Sequence, residues 1–342
     1  MKNEIINPKP NFNIGISILR SILCLWVIII HCSYVKKAHR KCVLRHFHVP
    51  TFFLLSFYFY YPIARSRNID KVKLRFQRLL YPYIIWPSLI IIMNNFLVTF
   101  TSLKLYTEKY SLKDLCIQLL IGARFYNPFW FHFNLIILSI FFTIISFIAK
   151  KQLLFILELI GIISLYIHFL GINYLIFIGL KKPTQKSLGS LNEMIPLGVF
   201  GCIFNSVNLL PKLINSNKAI ILILAPLLYL LFKFDIFLKY PGFLYPNVLL
   251  NILASTIMLI LFGSINIDKF QNVKKIIKYI TSFTGGIYYI HQIFPNYLYF
   301  FFKVVKEKTT YFSSFRIYIS CYIICFFGSK LFKNTKLKYL FI

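Results

Sequence analysis

The chain has 342 residues, of which 58% are hydrophobic and 19% aromatic, and only 14% are charged. Soluble domains carry about 25% charged residues, so this composition excludes an ordinary soluble protein and indicates a membrane protein. A formal net charge of +30 would suggest nucleic-acid binding in a soluble chain. Here the basic residues lie mostly in short segments between apolar stretches, which is typical of membrane flanks and argues against a nucleic-acid partner.

Apolar stretches long enough to cross a bilayer, which takes about 20 residues, recur along the chain. We predict an all-α, polytopic integral membrane protein with about ten transmembrane helices, forming one membrane domain over 1–342 without an appended soluble domain. The predicted spans are 14–35, 47–64, 79–103, 128–149, 152–170, 188–207, 219–238, 244–264, 283–305 and 311–332. The segment "YSLKDLCIQLLIGARFY" is amphipathic and predicts an interfacial helix. "INYLIFIGL" either extends the fifth span or dips back into the membrane.

The first span contains two ionisable residues, Arg20 and His31. A charged group inside a span costs at least about 2.5–3.5 kcal/mol, so such residues usually face a bundle interior or a wet cavity. At about 100° and 1.5 Å per residue, the two side chains share one helical face, about 16–17 Å apart along the axis. They therefore line one track, although a lone histidine near a span end, such as His31, is more often a snorkelling or hydrogen-bonded residue.

A second basic motif precedes the third span, in "KVKLRFQRLLYPYIIW". Arg75 and Arg78 are three positions apart, so they lie on one helical face at the membrane edge. Two forked guanidinium groups in this arrangement can bind phosphate oxygens bidentately. The alternative is an ordinary run of anchoring charges.

Three further polar residues lie in or near apolar spans. His291 follows a pair of glycines in "TGGIYYIHQIF", His132 begins the fourth span in "PFWFHFNL", and Glu193 is one of only nine acids. Each is also explained by packing or by a span boundary. The cysteines have no zinc-like spacing, so we predict no metal site.

Together these motifs resemble the family-3 membrane acyltransferases, integral membrane enzymes that put acetyl or other short acyl groups on sugars and lipids. Arg20 and His31 reproduce the family's arginine, ten intervening residues and histidine in the first span. "FFLLSF", which contains Ser56, is similar to its second span, and Arg75 and Arg78 match its Arg-x-x-Arg before the third.

The resemblance continues through the later spans. "PFWFHFNLI", which contains Trp130, is similar to the family's Trp-Phe-led fourth span, and "PLGVFG" and "GIYYIHQIF" resemble two later stretches. The chain departs from the pattern at Phe57, where the family usually has a glycine after Ser56. We expect this substitution to alter packing beside the first span.

The resemblance implies a membrane O-acyltransferase, by default an O-acetyltransferase, in the bacterial cytoplasmic membrane. It would move an acyl group from acyl-CoA, such as acetyl-CoA, to a hydroxyl of a cell-surface polysaccharide or glycolipid. His31 would act as base or covalent acyl carrier, and Arg20 would orient the donor or stabilise charge at the thioester carbonyl. The coenzyme phosphates would be bound by Arg75 and Arg78. The possible supporting residues are Glu193, His291, Ser56 and Trp130.

Two other classes of many-span, aromatic-rich protein remain as alternatives: a transporter or flippase for lipid-linked glycans, and a polysaccharide polymerase. Neither function requires an arginine and a histidine in the first span followed by the Arg-x-x-Arg motif. Binding of acetyl-CoA would distinguish these functions, because a ligand stabilises a folded protein that binds it. Acetyl-CoA should therefore stabilise an acyltransferase and leave the stability of a flippase unchanged.

Charge counting gives a slight preference for an orientation with both termini in the cytoplasm. In that orientation the inside segments carry 20 Lys and Arg and the outside segments 17, with six of the inside residues in 65–78. The coenzyme donor exists only in the cytoplasm, which favours the same side for Arg75 and Arg78.

The orientation can be tested with single cysteines placed at positions 38 and 68 in a cysteine-free background. We expect an impermeant thiol reagent to label position 38 and to leave position 68 unlabelled in intact cells. Labelling of position 68 without position 38 would show that the predicted topology is inverted.

Overall fold

A computed structural model describes residues 13–31, 48–100, 110–122, 129–149, 152–177, 188–207, 248–265, 270–291 and 311–342. Within these ranges the regular structure is helical and contains no strand, which confirms the all-α prediction. The helices are α1 Ile14–His31, α2 His48–Ser66, α3 Ile69–Phe100, α4 Leu112–Ile121, α5 Phe129–Ile148, α6 Leu153–Phe177, α7 Leu188–Ser206, α8 Val248–Gly263, α9 Gln271–Thr281, α10 Thr284–Ile290 and α11 Tyr311–Leu331, followed by a 3₁₀ helix, Lys336–Leu340.

Most predicted spans coincide with a helix, because a long apolar run is a strong helix signal in a membrane chain. The predicted interfacial helix is α4, capped by Ser111 and Asp114 in a capping box. The fifth predicted span continues as α6 to Phe177, so the described part of "INYLIFIGL" extends that helix. The predicted span 219–238 and most of 283–305 lie outside the described residues.

Two helices within the described ranges are long and apolar enough to cross a membrane, 69–96 and 129–148, and four shorter apolar helices accompany them. Large apolar side chains on the outer surface are exposed, among them Ile144 (52%), Phe155 (65%) and Ile162 (65%). Such a surface is unfavourable in water and suits contact with lipid. The count of about ten spans stays a prediction.

The segment 65–78, which we placed between two spans, is largely helical and forms the first turns of α3. A tight turn joins α2 to α3, in which Arg67 has a left-handed φ of 53°. The Arg67 guanidinium donates to the Ser146 carbonyl on α5, and the Asn68 side chain accepts from the Lys71 amide at 2.9 Å. Asn68 therefore caps a helix that begins ten residues before the apolar run.

The contact between α2 and α7 is unusually close. A Cβ on Gly201 would lie 2.3 Å from the Leu54 carbonyl oxygen and 2.9 Å from the Tyr58 amide nitrogen. The glycine spacing of "PLGVFG" thus lets two helix backbones touch. Phe57 is fully buried and lies against Phe142 of α5 and Gly198 of α7. Its effect on packing beside α1 stays a prediction.

Close contacts also position α1, which carries Arg20. Asn13 caps the helix by accepting from the Ile16 amide at 3.0 Å, and it donates to the Gly263 carbonyl at the end of α8 at 2.9 Å. A Cβ on Gly15 would lie 1.6 Å from the Phe262 carbonyl oxygen. The first turn of α1 is therefore packed directly against the backbone of α8.

The C-terminal segment packs against α10 and α3. Cβ atoms on Gly285 and Gly286 would lie 2.6 Å from the carbonyl groups of Ile342 and Phe341, respectively. The Phe341 ring also lies 6.2 Å from the Trp86 ring of α3, centroid to centroid. The paired glycines thus make room for the C-terminal backbone.

Replacement of Gly201 by Ala should lower the free energy of unfolding, by about 1–3 kcal/mol, because the new methyl group meets the α2 backbone, which cannot move aside. Gly198→Ala is the matched control, since its nearest neighbours are ring carbons at 3.1–3.4 Å. Thermal or denaturant unfolding in detergent measures both. Equal losses for the two variants would contradict the close α2–α7 contact.

Candidate active site

A cavity of about 440 Å³ opens between α1, α2, α3, α5 and α10. Apolar side chains of α2, α3 and α5 form much of its wall. The polar part is made by one serine, one histidine, one threonine, two tyrosines and four basic side chains: Ser56, His132, Thr284, Tyr288, Tyr289, Arg20, Lys71, Arg75 and Arg78. No acidic side chain is among the described residues that line it. The chamber is therefore electrostatically suited to an anionic ligand.

Three of the four cations come from one face of α3. Lys71, Arg75 and Arg78 have i, i+4, i+7 spacing, which places them above one another on a helix. Lys71 and Arg78 are exposed, and the Arg78 guanidinium lies 5.9 Å from the Tyr339 ring centroid of the C-terminal 3₁₀ helix. The sequence interpretation missed Lys71, although the same spacing could have identified it.

The Arg75 guanidinium is held by hydroxyl groups and by an aromatic ring. Its Nη2 donates to Ser56 Oγ at 2.9 Å and to Ser139 Oγ at 3.2 Å, and Nε donates to Ser139 Oγ at 3.3 Å. The guanidinium carbon lies 4.2 Å from the centroid of the Tyr60 ring. These partners are all neutral, so they fix the direction of the guanidinium without cancelling its charge.

Arg20 enters the same cavity from α1. Its side chain is exposed, and Nη2 donates to Thr284 Oγ1 of α10 at 3.2 Å. The Cys24 thiol, one turn further along, is 3.6 Å from the Thr284 carbonyl oxygen. His31 is the last residue of α1, and its side chain lies outside the described part of the structure, so its pairing with Arg20 stays a prediction.

The structure thus places Arg20, Ser56, Arg75 and Arg78 around one cavity, while the other supporting candidates lie outside its lining. Trp130 packs against Phe131, whose ring centroid is 6.3 Å away and which does line the cavity. His291 is buried behind Tyr288, and its Nδ1 donates to the Tyr288 carbonyl at 2.6 Å.

Glu193 is buried in α7, a helix that contributes no described residue to the cavity wall. Within the described ranges, no group of three His, Cys, Asp or Glu side chains could hold a metal ion.

His132 lines the cavity, although the sequence analysis also explained it by packing alone. Its Nε2 is hydrogen-bonded to the Tyr289 hydroxyl, and both residues are buried. Sequence reasoning also missed Ser139, Thr284 and Tyr289. The sequence around Tyr289 does not distinguish it from the other tyrosines of the chain, which has 23 in all. Its position in the site depends on a contact between α5 and α10.

Comparison with known proteins identifies the class of this chain. No curated protein and no solved structure gives a significant match. Residues 13–333, nearly the whole chain and every residue named here as lining the cavity, match the acyltransferase domain of the acyltransferase 3 family. The chain therefore belongs to the acyltransferase 3 family of membrane acyltransferases.

Proposed function

We propose that this protein is a multi-pass O-acyltransferase of the bacterial cytoplasmic membrane that takes its acyl group from acyl-CoA. The acceptor would be a hydroxyl of a cell-surface polysaccharide or glycolipid, and acetyl is the simplest acyl group. The observation that carries the proposal is a cavity with four cationic side chains and no described acid, in a chain of an acyltransferase family. Coenzyme A carries its negative phosphates at one end and the reactive thioester at the other, so a cationic opening and a partly apolar chamber fit it.

The phosphate end would be bound by the basic face of α3. Lys71 and Arg78 are exposed there, and Arg75 is fixed beside them by Ser56 and Ser139. Because the Arg75 partners are neutral, its charge remains available to a phosphate oxygen, with which a guanidinium forms short, charge-assisted bonds. Ser56 would thus act by orienting Arg75 rather than by reacting.

The reacting end would lie toward α1 and α10. There Arg20 would stabilise the negative charge that develops on the thioester carbonyl oxygen. His31 would take the proton of the acceptor hydroxyl as the new C–O bond forms and would return it to the sulfur, so that coenzyme A leaves as the thiol when the C–S bond breaks. Trp130 and His291 would support the wall through Phe131 and Tyr288, and Glu193 would support α7.

Coenzyme A titration of purified variants tests the phosphate site. Arg75→Gln and Arg78→Gln should each weaken binding by about tenfold or more, since a hydrogen bond to a charged group contributes about 1.5–3 kcal/mol. Lys73→Gln is the control, because Lys73 is exposed on the same helix, lies outside the cavity lining and carries the same charge. If the Arg75 and Arg78 double variant binds coenzyme A as tightly as the unmodified protein, the two arginines serve only to anchor the helix at the membrane surface.

Replacement of His31 by Ala should abolish acyl transfer, with a loss of at least about 10²-fold, the usual contribution of a general base. The substituted chain should still bind coenzyme A normally, which controls for insertion and folding. Acyl transfer to host surface glycans, followed by mass spectrometry, is the measurement. A rate of acyl transfer within about threefold of that of the unmodified protein would show that His31 does not take part in the reaction.

A further inference from the structure

Lys71 lies at one end of the basic face of α3. It is the third residue of the helix, which begins at Ile69 after the turn from α2, and its side chain is exposed. The Asn68 side chain accepts from the Lys71 amide at 2.9 Å, so a helix cap fixes the backbone from which the ammonium group extends. Ile63, from the last turn of α2, also lines the cavity. Lys71 therefore marks the end of the cavity nearest the turn between α2 and α3.

Arg78 lies at the other end of this face. Seven residues at about 1.5 Å each place it about 10 Å further along the helix axis. Its guanidinium lies 5.9 Å from the ring centroid of Tyr339, in the C-terminal segment that packs against α10. That helix carries Thr284, which accepts from Arg20. A continuous set of contacts thus connects Arg78 to the part of the cavity that contains Arg20, and Lys71 is the cation of α3 furthest from it.

The phosphates of coenzyme A lie at two distances from its thioester. The pyrophosphate joins the pantetheine arm to the ribose, whereas the 3′-phosphate is attached to the ribose itself, at the end remote from the sulfur. A phosphate monoester such as the 3′-phosphate carries a charge of about −1.5 to −2 at pH 7, more than either phosphate of the pyrophosphate. A donor whose thioester lies beside Arg20 therefore places its most charged phosphate at the end of the cavity where Lys71 lies.

The types of basic residue fit this order. The Arg75 guanidinium is held by Ser56 and Ser139, which suits a phosphate bound in one fixed position. A lysine ammonium is a compact charge on a flexible stem and can follow a phosphate at the entrance. Asp70 precedes Lys71 on α3 but is not among the described residues of the lining. Within the described lining, no carboxylate therefore competes with a ligand for Lys71.

We propose that Lys71 binds the 3′-phosphate of the acyl-CoA donor, while Arg75 and Arg78 bind its pyrophosphate. The site then selects free coenzyme A thioesters over donors that carry only a phosphopantetheine arm, such as acyl carrier proteins, because those donors lack this phosphate. The inference rests on the proposed acyl-CoA function and specifies the class of donor.

The test is titration of the purified full chain with coenzyme A and with dephospho-coenzyme A, which lacks only the 3′-phosphate. At low ionic strength the unmodified chain should bind coenzyme A about fivefold to tenfold more tightly, because one bond between charged groups is added. Lys71→Gln should abolish this preference by weakening the binding of coenzyme A alone, and its unchanged affinity for dephospho-coenzyme A controls for folding. Lys71→Arg should keep most of the preference, because the charge is retained.

Lys73→Gln is the matched control. Lys73 is exposed on the same helix and lies outside the described lining, so its replacement should leave the preference unchanged. Arg78→Gln should weaken the binding of both ligands by a similar factor, because both contain the pyrophosphate. A preference that survives in Lys71→Gln, or equal affinity of the unmodified chain for the two ligands, would overturn the inference and leave the proposed function intact. An unmodified chain that binds neither ligand would overturn both.

Discussion

A guanidinium group held by neutral partners is the constraint around which the site is arranged. Arg75 of α3 donates to Ser56 of α2 and to Ser139 of α5, so one side chain ties three helices together. The Tyr60 ring lies under it, and the Tyr60 hydroxyl is bonded to Thr143, whose own hydroxyl donates to the Ser139 carbonyl at 2.6 Å. A carboxylate in place of the serines would hold the arginine more strongly and would also neutralise it. Hydroxyl groups and a ring preserve the charge for a ligand.

The walls of the chamber depend on backbone contacts behind them. The close approach of α7 at Gly201 presses on the face of α2 opposite the cavity, and the C-terminal segment presses on α10 at Gly286. Van der Waals packing of small residues is one of the interactions that drive helix association in a bilayer, where apolar burial between helices gains little. Helices with no described residue in the lining, such as α7, therefore still determine the shape of the cavity.

Sequence patterns predicted the parts of the protein that depend on local periodicity. Long apolar runs located most helices, and the three-residue spacing placed Arg75 and Arg78 on one face, where the structure has them. They did not predict α9, because Val273, Ile276 and Tyr279 alternate with lysines and never form an apolar run.

The remaining parts of the site depend on contacts between distant segments. The bond between His132 and Tyr289 joins residues 157 positions apart, and spacing on either helix carries no information about the other. Lys71 was within reach of the same periodicity that identified Arg75. It was missed because the prediction rested on the Arg-x-x-Arg pair alone, which begins at Arg75.

The contact between Arg20 and Thr284 joins residues 264 positions apart, which has a consequence for how the protein is made. Arg20 is synthesised and inserted into the membrane early in translation, whereas Thr284 is synthesised only after most of the chain has been inserted. The half of the cavity formed by α2, α3 and α5 can assemble early, since Ser56 and Arg75 are 19 positions apart and Ser139 follows 64 positions after Arg75. The half formed by α1 and α10 closes last. Until then the arginine of α1 needs water, lipid phosphate or an insertion factor as a temporary partner, so a stalled chain would expose that charge to the membrane.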